Sequence, residues 1–480
     1  MGSKDAFFCT FCSLLLFCFS SKCLSSELDL PQTALVEVDA SWEVSRKIPD
    51  TLFGLFFEEI NHAGAGGIWA ELVSNRSNSQ FDKHSSWKLK NSVALRMEIL
   101  CENCPAGGVG IYNPGFWGMG HGFRKELIYM LLELRPQFLR FPGISHHDEV
   151  DTIIIEPFVK DVLDSLEFAR GSAESTWGSV RSAMGHPERF PLKYVAIGNE
   201  DCGKEFYRGN YLKFYDAIRK AYPDIQMISN CDGSSRPLDH PADLYDFHVY
   251  TSAANLFIMK NKFDRTSRIG PKVFVSEYAV NEQRDAGKGS LLASLAEAAF
   301  LTGLEKNSDV VQMASYAPLF VNDNDSTWNP DAIVFNSWQQ YGTPSYWVQT
   351  YFRESSGSVI HPITISSRYS DSLAASAITW QDSEDIFLRV KIVNFGPNAV
   401  NLTISSRGLQ DGVNTAKSTV TVLTSGNFLD ENSFSDPNKV VPVESELPNA
   451  AEVMEAVLPP FSFTSFDLAL DQYSKLVAEM

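Results

Sequence analysis

At 480 residues the chain is too long for one small core, so two or three domains are expected. The apolar share of 44% and charged share of 21% are those of an ordinary globular protein. A formal net charge of −19 argues against nucleic acid or an anionic membrane as partner, since either would repel it.

The first residues combine Lys4, an apolar run from about Ala6 to Phe19 and then small polar residues. This is the pattern of a secretory signal over 1–25, too short to span a bilayer, and no second such run follows, so no membrane association is expected after cleavage. Cleavage near Ser25 leaves Cys101, Cys104, Cys202 and Cys231, too few in so long a chain for a disulfide framework. Cys101 and Cys104 form a C-x-x-C, but no second pair stands at zinc-site spacing, so no metal is expected. Sequons at Asn75, Asn324 and Asn401 agree with a secreted glycoprotein.

"ALVEVDAS" (Ala34–Ser41) alternates, and the segment 26–50 is expected to supply one strand to a distant β-sandwich. The first strand and loop of the next domain occupy 51–70, where Leu52 to Phe57 run apolar before "EEINHAGAGG" turns polar and Gly-rich. Six further strands follow the same grammar: "QFLRFPG", "KYVAIGNE", "IQMISNCDG", "DLYDFHVYT", "KVFVSEYA" and "DVVQMASYAPLF". Helical patterns stand between most of them: "HGFRKELIYMLLELRP", "EPFVKDVLDSLEFARG", "YLKFYDAIRKAYP" and "LLASLAEAAFLTGLEKN". Continuous apolar strands alternating with helices predict an α/β fold with a parallel sheet, here a (β/α) TIM barrel over 119–355. From 356 to 480 the helices stop, and alternating strands separated by turn residues predict a C-terminal antiparallel β-sandwich.

In a barrel, chemistry sits where strands end at the C-terminal face. Two strands end on a glutamate there: Asn199-Glu200, and Ser276-Glu277-Tyr278. Either glutamate alone could be a surface residue. Two of them facing across a barrel mouth are what glycoside hydrolysis requires, one protonating the leaving oxygen and the other attacking, or activating water at, the anomeric carbon.

The segments "LFGLFFEEINHAGAGGIWAELVSNR", "QFLRFPG", "YVAIGNEDCG", "DFHVY" and "VFVSEYAV" resemble the plant α-L-arabinofuranosidases of glycoside hydrolase family 51, across nearly all of the chain after the signal. The resemblance implies a retaining mechanism without cofactor, with Glu200 as general acid/base and Glu277 as nucleophile. It further implies that Glu58 grips sugar hydroxyls, Asn199 binds the hydroxyl next to the anomeric carbon, and His248 and Tyr250 line the pocket and support the nucleophile. Trp328 and Asn329 are expected to close that pocket. Strand parity leaves Glu59 as the alternative to Glu58, and a satisfied core histidine is the alternative for His248. Trp69 and the glycines beside it are either sugar-facing or core.

The chain departs from the family at two places. Gly143 runs straight into Ile144, where the family has a long loop, a helix and the third barrel strand, so only one helix separates "QFLRFPG" from "KYVAIGNE" and the barrel has seven strands. Most of an inserted jelly-roll, carbohydrate-binding-like module is also missing, its remnant falling at 71–118. The expected activity is release of terminal α-L-arabinofuranose from arabinoxylan or arabinan in the extracellular cell wall. The alternatives are a β-D-xylosidase or bifunctional enzyme, and an inactive truncated isoform.

Overall fold

The computed structural model describes residues 32–58, 60, 63, 124–140, 155–325, 328–383, 385–409 and 412–471. The expected signal, the jelly-roll remnant, Asn75, Glu59, Trp69, Cys101 and Cys104 lie outside these residues.

Seven parallel strands form one sheet: β1 (Phe53–Phe56), β2 (Leu139–Arg140), β3 (Tyr194–Ile197), β4 (Gln226–Ser229), β5 (Leu244–Thr251), β6 (Lys272–Val280) and β7 (Val311–Tyr316). Their order is β2-β1-β7-β6-β5-β4-β3, every neighbouring pair parallel. This is the strand order of a barrel that fails to close. Among the described residues no ladder joins β2 to β3, the place where the sequence reading expects a strand to be missing.

Central strands are buried on both faces, which is why they read as unbroken apolar runs; β6 is buried from Val273 through Val280. The expected helices form at Lys125–Glu133, Glu156–Arg170, Tyr207–Ala221 and Leu291–Lys306. A further helix, Thr176–Ala183, corrects the expectation of a single helix between β2 and β3. Its sequence, "TWGSVRSA", has little apolar periodicity. It is held by its Ser175 cap, whose Oγ accepts from Gly178 N, and by buried Arg181, which donates to the carbonyls of Phe168, Ala169, Gly171, His186 and Pro187.

Leu291–Lys306 is apolar on every side because it is buried on every side, packed between β6 and the sandwich strands Leu373–Asp382 and Asp385–Asn394. A polar cluster crosses this joint. Lys391 and Glu305, both fully buried, form an ion pair, and Lys391 also donates to Ser355 Oγ at 3.0 Å. Beside it, Arg389 binds Asp467 at 2.7 Å and Glu354 at 2.8 Å.

The C-terminal unit stacks a seven-stranded sheet on a four-stranded one, with Val36, Val38, Ile404, Leu388, Val390 and Phe466 in the shared core. Gln32–Asp39 joins it, as expected. It departs from a purely antiparallel sandwich, however: it runs parallel to Val400–Arg407 and antiparallel to Ile363–Ser366. The whole barrel lies between those two parallel strands in sequence, so no tight hairpin dictates their sense.

Candidate active site

The sequence "AIGNEDC" turns sharply as it leaves β3. Gly198 has φ +92°, and a Cβ there would meet Asp201 Oδ1 at 2.4 Å, so glycine is needed. Glu200 itself sits at φ +53°, a conformation costly for a non-glycine residue that persists only where surrounding contacts enforce it. Those contacts tie the β3 loop to the β4 loop. Asp201 N donates to Asn230 Oδ1 (2.8 Å), Tyr207 Oη donates to the Ile197 carbonyl (3.0 Å), and Asn230 N donates to Tyr207 Oη (2.8 Å). Cys202 and Cys231 close a disulfide between the same two loops.

Along β5, Asp246, His248 and Tyr250 occupy alternate positions, the spacing that places side chains on one face of a strand. The register against β6 shifts between Asp246 and His248. Asp246 is the deepest of the three. Its carboxylate accepts from Ser276 Oγ, pairs with His248 Nε2 at 3.1 Å and lies 3.9 Å from Arg140 Nη2. Burial alone would raise its pKa, but His248, Arg140 and Ser276 outweigh it and hold the carboxyl below its ordinary value.

Glu277, mid-way along β6, has a partner for each oxygen. Arg140 Nη1 donates to Oε1 at 2.7 Å and Tyr250 Oη donates to Oε2 at 2.7 Å. Arg140 also donates through Nη2 to Asn199 Oδ1 (3.1 Å) and lies over the Phe56 ring at 4.9 Å. Burial opposes its charge, but Asp246, Glu277 and Glu58 together raise its pKa. Glu58, two residues beyond the end of β1, contributes to that raised value through its charge.

His248 links the two glutamates. Its Nδ1 stands 3.0 Å from Glu200 Oε1, and its Nε2 stands 3.6 Å from Glu277 Oε1. Burial would lower its pKa, but Asp246, Glu200 and Glu277 raise it to about 9, so both ring nitrogens carry protons at neutral pH. One oxygen of Glu200, one of Glu277 and a His248 ring nitrogen all lie within 4.8 Å of one another. That spacing is of the size that suits a cation, and the Arg140 guanidinium supplies positive charge beside it.

Trp328 meets Tyr250 edge-on, ring centres 5.6 Å apart, with 41% of its surface exposed. Asn329, half-buried beside it, makes no hydrogen bond among the described residues. The site thus brings together Glu58, Asn199, Glu200, His248, Tyr250, Glu277 and Trp328, and it adds Arg140, Asp246 and Ser276, which the sequence reading did not single out. The available signal was a charged residue interrupting an apolar strand, Arg140 within "QFLRFPG" and Asp246 within "DFHVY". Of the expected glycosylation sites within the described residues, Asn324 and Asn401 are both exposed.

Two family patterns cover most of this architecture: the α-L-arabinofuranosidase 1 domain matches residues 144–268, and the α-L-arabinofuranosidase C-terminal domain matches residues 276–462. α-L-Arabinofuranosidase 1 of Arabidopsis thaliana is 45% identical over 96% of this chain and 95% of its own length. The chain belongs to the α-L-arabinofuranosidase family, glycoside hydrolase family 51. The alignment with the Arabidopsis member runs over 645 positions, well beyond the 480 residues here, so a large internal block is occupied by that relative alone. The extracellular exo-α-L-arabinofuranosidase of Streptomyces chartreusis is 33% identical over 61% of this chain and 36% of its own. An arabinose-bound family 51 α-L-arabinofuranosidase superposes with a TM-score of 0.73 at 19% identity, covering 91% of this chain and all of that one. It shares the fold, a TIM barrel with a C-terminal domain; among the described residues here the sheet does not close.

Proposed function

We propose that the chain carries the machinery of a secreted, retaining, exo-acting α-L-arabinofuranosidase that removes terminal α-L-arabinofuranose from arabinoxylan or arabinan. The observation that carries this reading is the approach of the Glu200 and Glu277 carboxylates, whose oxygens come within 4.8 Å of each other. Retaining glycosidases hold their carboxyl groups about 5–5.5 Å apart, whereas inverting ones need about 6.5–9.5 Å to admit a water.

In the first step, Glu277 attacks the anomeric carbon while Glu200 delivers a proton to the departing glycosidic oxygen, forming a glycosyl ester on Glu277. In the second, Glu200 takes a proton from water, whose oxygen displaces Glu277 and restores the original configuration. Arg140 and Tyr250 fix the two Glu277 oxygens, so the carboxylate is oriented before substrate arrives. Asn199 and Glu58 meet the sugar hydroxyls, and Trp328, with Asn329 next to it, walls the pocket on the Tyr250 side.

Secretion is supported by the signal-like N-terminus and by the Cys202–Cys231 disulfide, a bond favoured in oxidising compartments. No helix among the described residues is long and apolar enough to cross a membrane. The unclosed sheet favours a further reading, in which this isoform retains the residues but turns over poorly.

Hydrolysis of an aryl α-L-arabinofuranoside in the presence of methanol tests the mechanism, using the chain with its missing segment restored. Retention predicts the methyl α-L-arabinofuranoside by NMR, and a product of inverted configuration would refute it. Preference for an aryl β-D-xylopyranoside would assign the site to the xylosidase alternative.

A further inference from the structure

At the opposite end of the sheet from Glu200 and Glu277, a cleft of about 370 Å³ opens between the barrel floor and the sandwich. Small-molecule sites run from about 300 to 1,000 Å³. One wall is Trp42, on a single 3-10 turn after the sandwich strand Gln32–Asp39. The floor is Arg135 and Gln137, in the turn that leads into β2. The other walls are Arg353, in the barrel-to-sandwich connection, and Trp380 with Gln381, near the end of the strand Leu373–Asp382.

The two indoles differ in what they offer. Trp380 is held rigidly, stacked on Phe387 at 5.1 Å, with the Arg389 guanidinium 4.5 Å from its ring centre and Nε1 donating to Asp467 at 3.1 Å. Trp42 keeps 40% of its surface exposed and makes no ring contact among the described residues. Around it stand planar amides and guanidiniums. Arg135 is exposed and in no ion pair among the described residues, and Gln137 is exposed beside it. The one acid in the cleft, Glu354, is already shared by Arg353 and Arg389 at 2.7 and 2.8 Å. In a chain of net charge −19 the cleft is thus neutral to basic, which disfavours a cationic occupant.

A sugar ring presents an apolar C–H face and a rim of hydroxyls, each both donor and acceptor. An exposed indole flanked by planar side chains with several polar atoms is complementary to both. We infer that this cleft is a second, non-catalytic carbohydrate site, binding a short pentose oligosaccharide through Trp42, Arg135, Gln137 and Gln381. It anchors the chain on the polysaccharide while the glutamate pair at the far end works on chain ends. The inference rests on the reading of the chain as a polysaccharide hydrolase, because that reading supplies the ligand class.

Affinity electrophoresis of the full chain through gels containing soluble arabinoxylan tests it, with xylotetraose and arabinotriose as separate competitors to identify which backbone binds. Glu277→Gln should be retarded as strongly as the parent, whereas Trp42→Ala and Gln137→Ala, both at exposed positions, should each lower affinity about tenfold. Retardation lost in Glu277→Gln but kept in Trp42→Ala would place all binding at the glutamates and overturn the inference. So would a parent chain that is folded by circular dichroism yet runs unretarded. Hydrolysis of a small aryl arabinofuranoside, which has no reach to the cleft, reports on the catalytic reading alone and should be the same in Trp42→Ala as in its parent.

Discussion

Arg140 and Asn199 stand at the ends of the two strands that border the opening in the sheet, and a hydrogen bond of 3.1 Å between their side chains crosses it. Among the described residues, backbone pairing stops at β2 on one side and β3 on the other. The same guanidinium holds Glu277 at 2.7 Å, so the nucleophile's orientation is linked to the loop that carries Glu200. Arg140→Lys keeps the charge but replaces a planar fork by a point donor that cannot serve Glu277 and Asn199 together. In the chain with its missing segment restored, this variant should lose about 100-fold in kcat, the scale expected for a displacement of about 1 Å at a reacting group. KM should change little. Steady-state kinetics on an aryl arabinofuranoside checks this, and a kcat unchanged by the substitution would remove Arg140 from its positioning role.

Glu277→Gln retains shape while removing the charge that attacks carbon. Turnover should fall by several orders of magnitude, with binding of arabinose by calorimetry preserved. Addition of azide, a small external nucleophile, should restore part of the lost rate with activated substrates and give a glycosyl azide of inverted configuration. Azide rescue in Glu200→Gln with that stereochemistry, and none in Glu277→Gln, would exchange the two roles.

His248 is surrounded by Asp246, Glu200 and Glu277, and its pKa stands near 9 against about 6.5 in the unfolded chain. Because the folded value is raised, the stabilisation is fully present below about pH 6.5 and drains away as pH climbs toward 9. At roughly 1.4 kcal/mol per unit it amounts to no more than about 3 kcal/mol. Chemical denaturation from pH 6 to 9.5 should therefore show a loss of stability that His248→Asn lacks. By NMR, the imidazole should titrate near pH 9 and shift downward in Glu277→Gln, where one of the three carboxylates is gone. Titration near 6.5 would mean the carboxylates do not hold the ring charged.

Much of this was legible because burial on both sides leaves a continuous apolar run, as in β6 and β7; Glu200 stood out by following a short apolar strand, whereas Glu277, read as ending one, lies within β6, which stays buried to Val280. Arg140 and Asp246 did not stand out, since one charged residue in an apolar strand reads equally as a misplaced boundary. Their meaning depends on the pairing of each with the other's neighbourhood, which only the folded sheet creates. The Cys202–Cys231 bond was hidden for the same reason: its partners are 29 residues apart and meet because β3 and β4 are adjacent. Thr176–Ala183 was missed because a tertiary contact, buried Arg181, stabilises it in place of its own pattern.

The opening itself supports the last prediction, that this chain as written has little arabinofuranosidase activity although it keeps both glutamates. In a closed barrel every strand pairs with two neighbours, but here β2 and β3 each pair with one among the described residues. Backbone N–H and C=O groups at the two edges must find water, a loop or each other, and each buried group left unpaired costs on the order of 1–3 kcal/mol. A few of these rival the whole stability of about 5–15 kcal/mol that a domain possesses. The side-chain bridge from Arg140 to Asn199 is one hydrogen bond where a strand would supply several, so β2 and the Arg140 guanidinium that orients Glu277 are held to the β3 side less firmly than in a closed barrel. A displacement of about 1 Å is enough to lose roughly 100-fold in rate. Expressing this chain beside one with the missing helix and strand restored, and comparing their melting temperatures and turnover of an aryl α-L-arabinofuranoside, tests the claim. The restored chain should melt higher and turn over at least about 100-fold faster. Equal turnover by the two would show that a seven-stranded, unclosed barrel holds its glutamates firmly enough, and that the third strand is dispensable for catalysis.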